Sequence, residues 1–186
     1  MFSFFKKNLT FYLFLLLFFL ASCGTKKLVL QKHGVSYTDK DTQVVSYQDL
    51  RKLYDAKDFK TLYEILEPVP QMETEDYFID LLFIQSACYL NQKSFLESAY
   101  KKSSKRYFYL GTLAYEEGRY DDAAAYLKLL KSKDPVVDYL IGSSLLFLGK
   151  RVESFGFLML SRKWQAPWPY LALATYYSIT QTQNQI

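Results

Sequence analysis

The sequence predicts an all-α chain, an α-solenoid of about four helical hairpins followed by one C-terminal capping helix. Three observations carry that expectation. Apolar residues recur at helical spacing from Ser46 onward. Glycines repeat at one fixed offset, since Gly111 to Gly142 and Gly118 to Gly149 are equal intervals. An aromatic follows three successive turns, at Phe59, Phe95 and Tyr120. The first gap between those aromatics is longer than the second, and Arg151 stands where a fourth is expected, so the repeat is degenerate.

The chain begins with Lys6 and Lys7, then runs without charge from Leu9 to Ala21. As a helix that run reaches about 20 Å, short of a bilayer core of about 30 Å. A charged start, an apolar centre and a small-residue end predict a secretory signal peptide over residues 1–22. A signal anchor retained in the membrane is the other reading. Leu20-Ala21-Ser22-Cys23 resembles the lipobox of bacterial lipoprotein precursors. The resemblance implies cleavage before Cys23 and lipidation of its thiol, so that acyl chains such as palmitate hold the protein on a membrane. Gly24 follows the cysteine where an Asp retains enteric lipoproteins in the inner membrane. By resemblance the outer membrane, facing the periplasm, is therefore expected. An ordinary free thiol at Cys23 is the alternative.

From Cys23 to Ile186 the chain is long enough for one domain with its own core. The 23 basic residues, less Lys6 and Lys7, nearly balance the 19 acidic ones. A net charge near balance, with no Arg-rich cluster and no Gly-rich phosphate loop, argues against nucleic acid. The densest basic patch, Lys101-Lys102 with Lys105-Arg106, reads as a solvated helix junction with Lys105 exposed. Residues 23–45 have no sustained period and read as a lipidated N-terminus and flexible tether, in which Leu28-Val29-Leu30 could dock on the domain as a short strand. His33, the one histidine, has no companions for a metal or a catalytic role, and no metal or cofactor is expected.

The helical domain is expected over residues 46–180. Ser46-Tyr47-Gln48-Asp49 has a capping-box-like pattern. Leu50, Leu53 and Tyr54 mark a first helix, and Phe59, Leu62, Tyr63, Ile65 and Leu66 a second, closed by Pro68 and Pro70. Thr74-Glu75-Asp76-Tyr77 is a second capping signal, before a long helix through Phe78, Leu81, Leu82, Ile84 and Tyr89. After Asn91-Gln92-Lys93 comes a helix with Phe95, Leu96, Ala99 and Tyr100. The clearest hairpin spans Tyr107 to Pro135, with Tyr107, Leu110, Gly111 and Ala114 on one helix and Ala123, Ala124, Leu127 and Leu130 on the next. Gly118 ends the first of these helices and Asp134-Pro135 stops the second. Tyr139 to Leu146, Gly149, and Val152 to Met159 form the fourth hairpin. Tyr170 to Ile179 is the last helix, and residues 181–186 read as a disordered tail.

Leu110, Gly111, Gly118, Tyr120, Ala123 and Pro135 resemble the large-apolar, Gly, Gly, aromatic, Ala and Pro positions of a tetratricopeptide repeat, with Ala114 departing from its aromatic. Gly142 and Gly149 repeat two of these positions. The resemblance implies that first helices line a concave peptide groove, placing Phe108, Thr112 and Tyr115 there, with Tyr139, Ser143 and Phe147 one repeat on and Phe83 from the hairpin before. A groove of rings suits an apolar or aromatic segment; the same rings as plain core packing are the competing reading. Cys88, flanked by Ile84, Ala87 and Leu90, is expected to be a buried inert thiol. Glu116, Glu117, Asp121 and Asp122 are expected to be solvated caps, screened alike by water, so no enzyme is anticipated. The anticipated role is a membrane-anchored scaffold for other envelope proteins, with oligomeric state open. A structural or accessory envelope lipoprotein without a dedicated groove is the alternative.

Overall fold

The computed structural model describes residues 27–31, 42–69, 76–130, 132, 134–164 and 166–183. Among the described residues two strands, β1 (Lys27–Gln31) and β2 (Thr42–Ser46), precede nine helices. The helices are α1 (Tyr47–Asp55), α2 (Phe59–Leu66), α3 (Tyr77–Tyr89), α4 (Lys93–Tyr100), α5 (Arg106–Glu116), α6 (Tyr120–Lys128), α7 (Pro135–Phe147), α8 (Arg151–Ser161) and α9 (Pro167–Gln183), with a 3-10 turn at Arg162–Trp164. The chain divides into two compact units, residues 1–51 and 52–186. The architecture is the all-α helical-repeat solenoid that the periodicity predicts. The signal segment, Cys23, His33, Pro70, Thr74 and the last three residues lie outside the described residues.

In the first unit β1 and β2 pair in parallel, with Val29 opposite Val44. Strand therefore occupies part of the stretch read as tether: Leu28-Val29-Leu30 and Val44-Val45 supply the β-branched and aliphatic side chains that favour it. The capping signal at Ser46 is real. Its hydroxyl accepts the Asp49 N–H at 3.1 Å and donates to the Asp49 carboxylate at 2.6 Å.

In the second unit one turn recurs at the end of every first helix. The Asp58 N–H donates to the Leu53 carbonyl at 2.9 Å and the Lys57 N–H to Tyr54 at 3.0 Å. The same pair of bonds forms from Gln92 and Asn91, from Arg119 and Gly118, and from Lys150 and Gly149. This is the Schellman arrangement, which needs a left-handed residue at its hinge. Lys57, Asn91, Gly118 and Gly149 take that place, at φ 57, 58, 74 and 73°. Two residues after the hinge the next helix begins, so each turn is short.

Two glycines set the helix crossings. A Cβ on Gly111 would lie 2.5 Å from Leu127 Cγ, and one on Gly142 would lie 2.8 Å from Leu158 Cδ2. Leu127 and Leu158 are separated by the same interval as the two glycines, so the repeat extends to the side chain that fills each notch. Ser154 stands where the earlier hairpin has Ala123, and its buried hydroxyl donates to the Gly142 carbonyl at 2.8 Å.

Several boundaries and faces differ from expectation. Tyr107 is exposed; Phe108, Gly111, Thr112 and Ala114 are buried, so the inward face of α5 starts one residue later. Asp76, inside the second capping signal, caps α3 by accepting the Phe78 N–H at 3.2 Å. Pro135 does not stop α6, which ends at Lys128; it opens α7 behind the Asp134 cap, where its missing N–H costs nothing. Phe95 sits at the third position of α4, whereas Phe59 and Tyr120 are first residues of theirs, and this offset contributes to the uneven gaps. Pro167 and Pro169 fall in the first turn of α9, which starts before Tyr170 and runs on to Gln183.

Helix α3 is buried from Ile79 through Ile84. That run includes Asp80, wholly removed from solvent and held by the Tyr100 hydroxyl at 2.7 Å and by the Lys105 ammonium. Lys105 is therefore not on a solvated junction: its side chain lies 9% exposed against a carboxylate that nothing else neutralises among the described residues. Burial pushes Asp80 above the usual carboxylate range, with Lys105 and then Tyr100 pulling it back. Burial beside that carboxylate also raises Tyr100. No helix among the described residues is long and apolar enough to cross a membrane.

Candidate functional site

The residues anticipated for a peptide groove separate into interior and surface. Phe83 is fully buried, stacked on Tyr63 at 5.4 Å and meeting Phe95 edge-on at 6.4 Å. Phe108 is fully buried against Tyr77 at 4.7 Å. Thr112 and Ser143 are buried as well. None of these four lines an open groove. The physical reason is close helix packing: α2 and α4 cover Phe83, while α3 closes over Phe108.

Tyr115 and Tyr139 are half-buried. Tyr115 meets Tyr120 at 5.7 Å and Phe147 at 6.4 Å, while Tyr139 leans on Trp164 at 5.6 Å. Burial raises both phenols, and each lies close enough to the other for their hydroxyls to interact. Phe147 alone of the seven is largely open, at 61% exposure, with its ring stacked on Tyr120 at 4.5 Å.

The trough these rings would form is filled from within. Trp164 and Trp168 contact each other at 4.9 Å. Trp164 meets Phe78 at 5.5 Å, and Trp168 meets Tyr54 at 5.7 Å and Phe78 at 6.2 Å. Only about 40 Å³ remains between these tryptophans and Leu81, Tyr115 and Tyr139. The C-terminal aromatic corner thus packs onto the first helices α1, α3 and α7, and the core reading holds for this region.

Beside that plug an open pocket of about 340 Å³ remains, where α1, α3 and α5 end. Its wall is a chain of rings: Tyr54 meets Phe59 edge-on at 5.8 Å, and Phe59 meets Tyr89 at 4.5 Å. Tyr89 is 67% exposed, far more than its neighbours on α3. Glu116 and Glu117 line the same pocket. Gln85 donates its amide to Glu116 Oε1 at 2.7 Å, and among the described residues no cation is paired with that carboxylate. Glu117 is different: Lys93 lies at 2.6 Å and Arg119 at 2.8 Å.

These two carboxylates are not screened alike, contrary to expectation. Glu116 is exposed at the pocket rim, and partial desolvation by the neighbouring protein raises its carboxyl above the ordinary range, with the Gln85 hydrogen bond offsetting part of the rise. Hydrogen bonds from Lys93 and then Arg119 hold Glu117 below it. Cys88 also lines the pocket, half-buried rather than buried; desolvation pushes its thiol up to about 11, so it stays protonated and unreactive near neutral pH.

Of the residues singled out for packing, Gly111, Ala123 and Gly142 are buried at the crossings, Gly118 and Gly149 form the turns, and Leu110, Tyr120 and Pro135 are half-buried. Cys23, singled out for lipid, lies outside the described residues. Sequence reasoning missed that Tyr89 and Glu116 line one pocket, and it missed Asp80 with Lys105. The first pair had a signal: both close a first helix just before its turn, at positions the repeat brings side by side. Among the described residues no group of His, Cys, Asp and Glu could hold a metal ion. No protein-family model, curated protein or solved structure matches this chain.

Proposed function

We propose that this chain is a lipid-anchored scaffold of the bacterial cell envelope, a non-enzymatic helical-repeat protein that holds a protein partner at the outer membrane on its periplasmic side. The observation that carries the reading is the pairing of Leu20-Ala21-Ser22-Cys23 with a stack of four like-turned hairpins. An acylated Cys23 supplies membrane affinity, and stacked hairpins supply an extended surface whose role in such architectures is contact with other chains. The open pocket beside α1, α3 and α5 offers that surface a recognition point.

Two measurements test it. Metabolic labelling with a fatty acid should mark the wild type and leave Cys23→Ala unlabelled and unprocessed; label on the variant refutes the anchor. Crosslinking in native membranes, followed by detergent extraction, should recover one defined protein. A specific observation favours the second reading, a structural or accessory lipoprotein: Trp164 and Trp168 fill the trough where a repeat scaffold would take a peptide. Recovery of no defined partner supports that reading instead.

A further inference from the structure

The anatomy of the pocket specifies its ligand more narrowly than the scaffold reading does. Three features coincide. The Tyr54–Phe59–Tyr89 rings form one wall, and Tyr89 stays open to solvent although an aromatic of that size gains by burial. Glu116 lines the same pocket, oriented through Oε1 by Gln85. The remaining charges on the rim, Lys93 and Glu117, pair with each other, so Glu116 is the charge left over. A carboxylate without a cation, lining one pocket with rings whose faces carry negative potential, attracts positive charge together with them.

We infer that this pocket binds a basic side chain, an arginine or lysine projecting from an extended segment of a partner protein, with Glu116 as counter-ion and Tyr54, Phe59 and Tyr89 as the stacking wall. Its volume of about 340 Å³ admits one such side chain and part of the backbone that presents it. Arginine fits better than lysine, because a planar guanidinium stacks on a ring while hydrogen-bonding a carboxylate. The proposal deepens the scaffold reading by naming the chemistry recognised. It is independent of Cys23 and of the trough that Trp164 and Trp168 fill.

The test uses the protein and two capped peptides, one with a central arginine among alanines and one with citrulline in its place, which keeps the shape and removes the charge. Binding is read by NMR shifts of the pocket residues and by tryptophan fluorescence, since Trp168 touches Tyr54. The arginine peptide should bind saturably and at least about tenfold more tightly than citrulline. Glu116→Gln should abolish that difference, and Tyr89→Ala should weaken the arginine peptide by about three- to tenfold, both with unchanged circular dichroism. Equal binding of the two peptides, no saturation by about 10 mM, or an unaltered preference in Glu116→Gln overturns the assignment. Crosslinking then separates the two levels. A defined partner captured without peptide binding removes the pocket and leaves the scaffold; peptide binding without any partner does the reverse.

Discussion

Lys105→Met tests the most consequential interaction in the helical unit. The substitution keeps the apolar stem and deletes the ammonium that meets Asp80 Oδ2. Asp80 has no exposure to solvent, and afterwards only the Tyr100 hydroxyl would hold its carboxylate. Stranding a buried charge in this way costs about 3–5 kcal/mol, a large part of the about 5–15 kcal/mol that holds a domain of this size. The loss has a pH signature whose sign is fixed by Asp80. Its folded value lies above 3.8, so the native state keeps a proton that the unfolded chain releases. Stability tied to that proton is fully present below the unfolded value and fades as pH rises through the folded one. Lys105 is the strongest influence pulling Asp80 down, so its removal raises the folded value further. The variant should thus lose more at about pH 7 than at about pH 4.5 relative to wild type. Urea denaturation at both pH values measures this, and adding Asp80→Asn should recover part of the loss. A Lys105→Met penalty within about 0.5 kcal/mol at neutral pH, or one equal at both pH values, refutes the reasoning.

Other substitutions probe the repeat and its rings. Gly111→Leu forces a side chain into Leu127 and should destabilise by about 1–3 kcal/mol or more in chemical denaturation. Lys57→Gly relieves a left-handed residue at φ 57° and should raise stability by up to about 1 kcal/mol, whereas Gly118→Ala should cost about 1 kcal/mol. Ser154→Ala leaves the buried Gly142 carbonyl without its side-chain donor and should cost about 1 kcal/mol. Replacing Tyr115 and Tyr139 together by Ala should shift melting strongly, because both rings pack on Phe147, Tyr120 and Trp164; a melting temperature nearly kept would return them to the groove.

The hairpins were legible because their turns are written locally. Gly118 and Gly149 announce left-handed hinges, and the glycines at 111 and 142 announce close crossings. Asn91, in the turn read at Asn91-Gln92-Lys93, is a residue type that tolerates the same hinge, whereas Lys57 takes it with an ordinary side chain that only a φ value reveals. The groove was misread for a related reason. Periodicity says which residues share a face, not what covers it; Phe83 and Phe108 are covered by neighbouring helices, and the trough by two tryptophans distant in sequence. Asp80 escaped notice because α3 is apolar almost all round, so a charge inside it is explained only by Lys105, on the far side of α4 in sequence. Glu116 and Glu117 look identical on paper, and Lys93 separates them in space.

The four identical hinges have a consequence for how the unit comes apart. Each hairpin closes through bonds between residues no more than five apart, so each can form or open without waiting for distant chain. Two hinges are glycine and relaxed, both in the C-terminal half; of the other two, asparagine tolerates the conformation and lysine rarely adopts it. Cohesion is thereby graded along the array. The Gly118 and Gly149 hairpins form the tighter half, and opening starts from the α1–α2 end, spreading inward one hairpin at a time. Amide exchange would register that order as protection rising from α2 toward α7, a gradient written into four hinge residues.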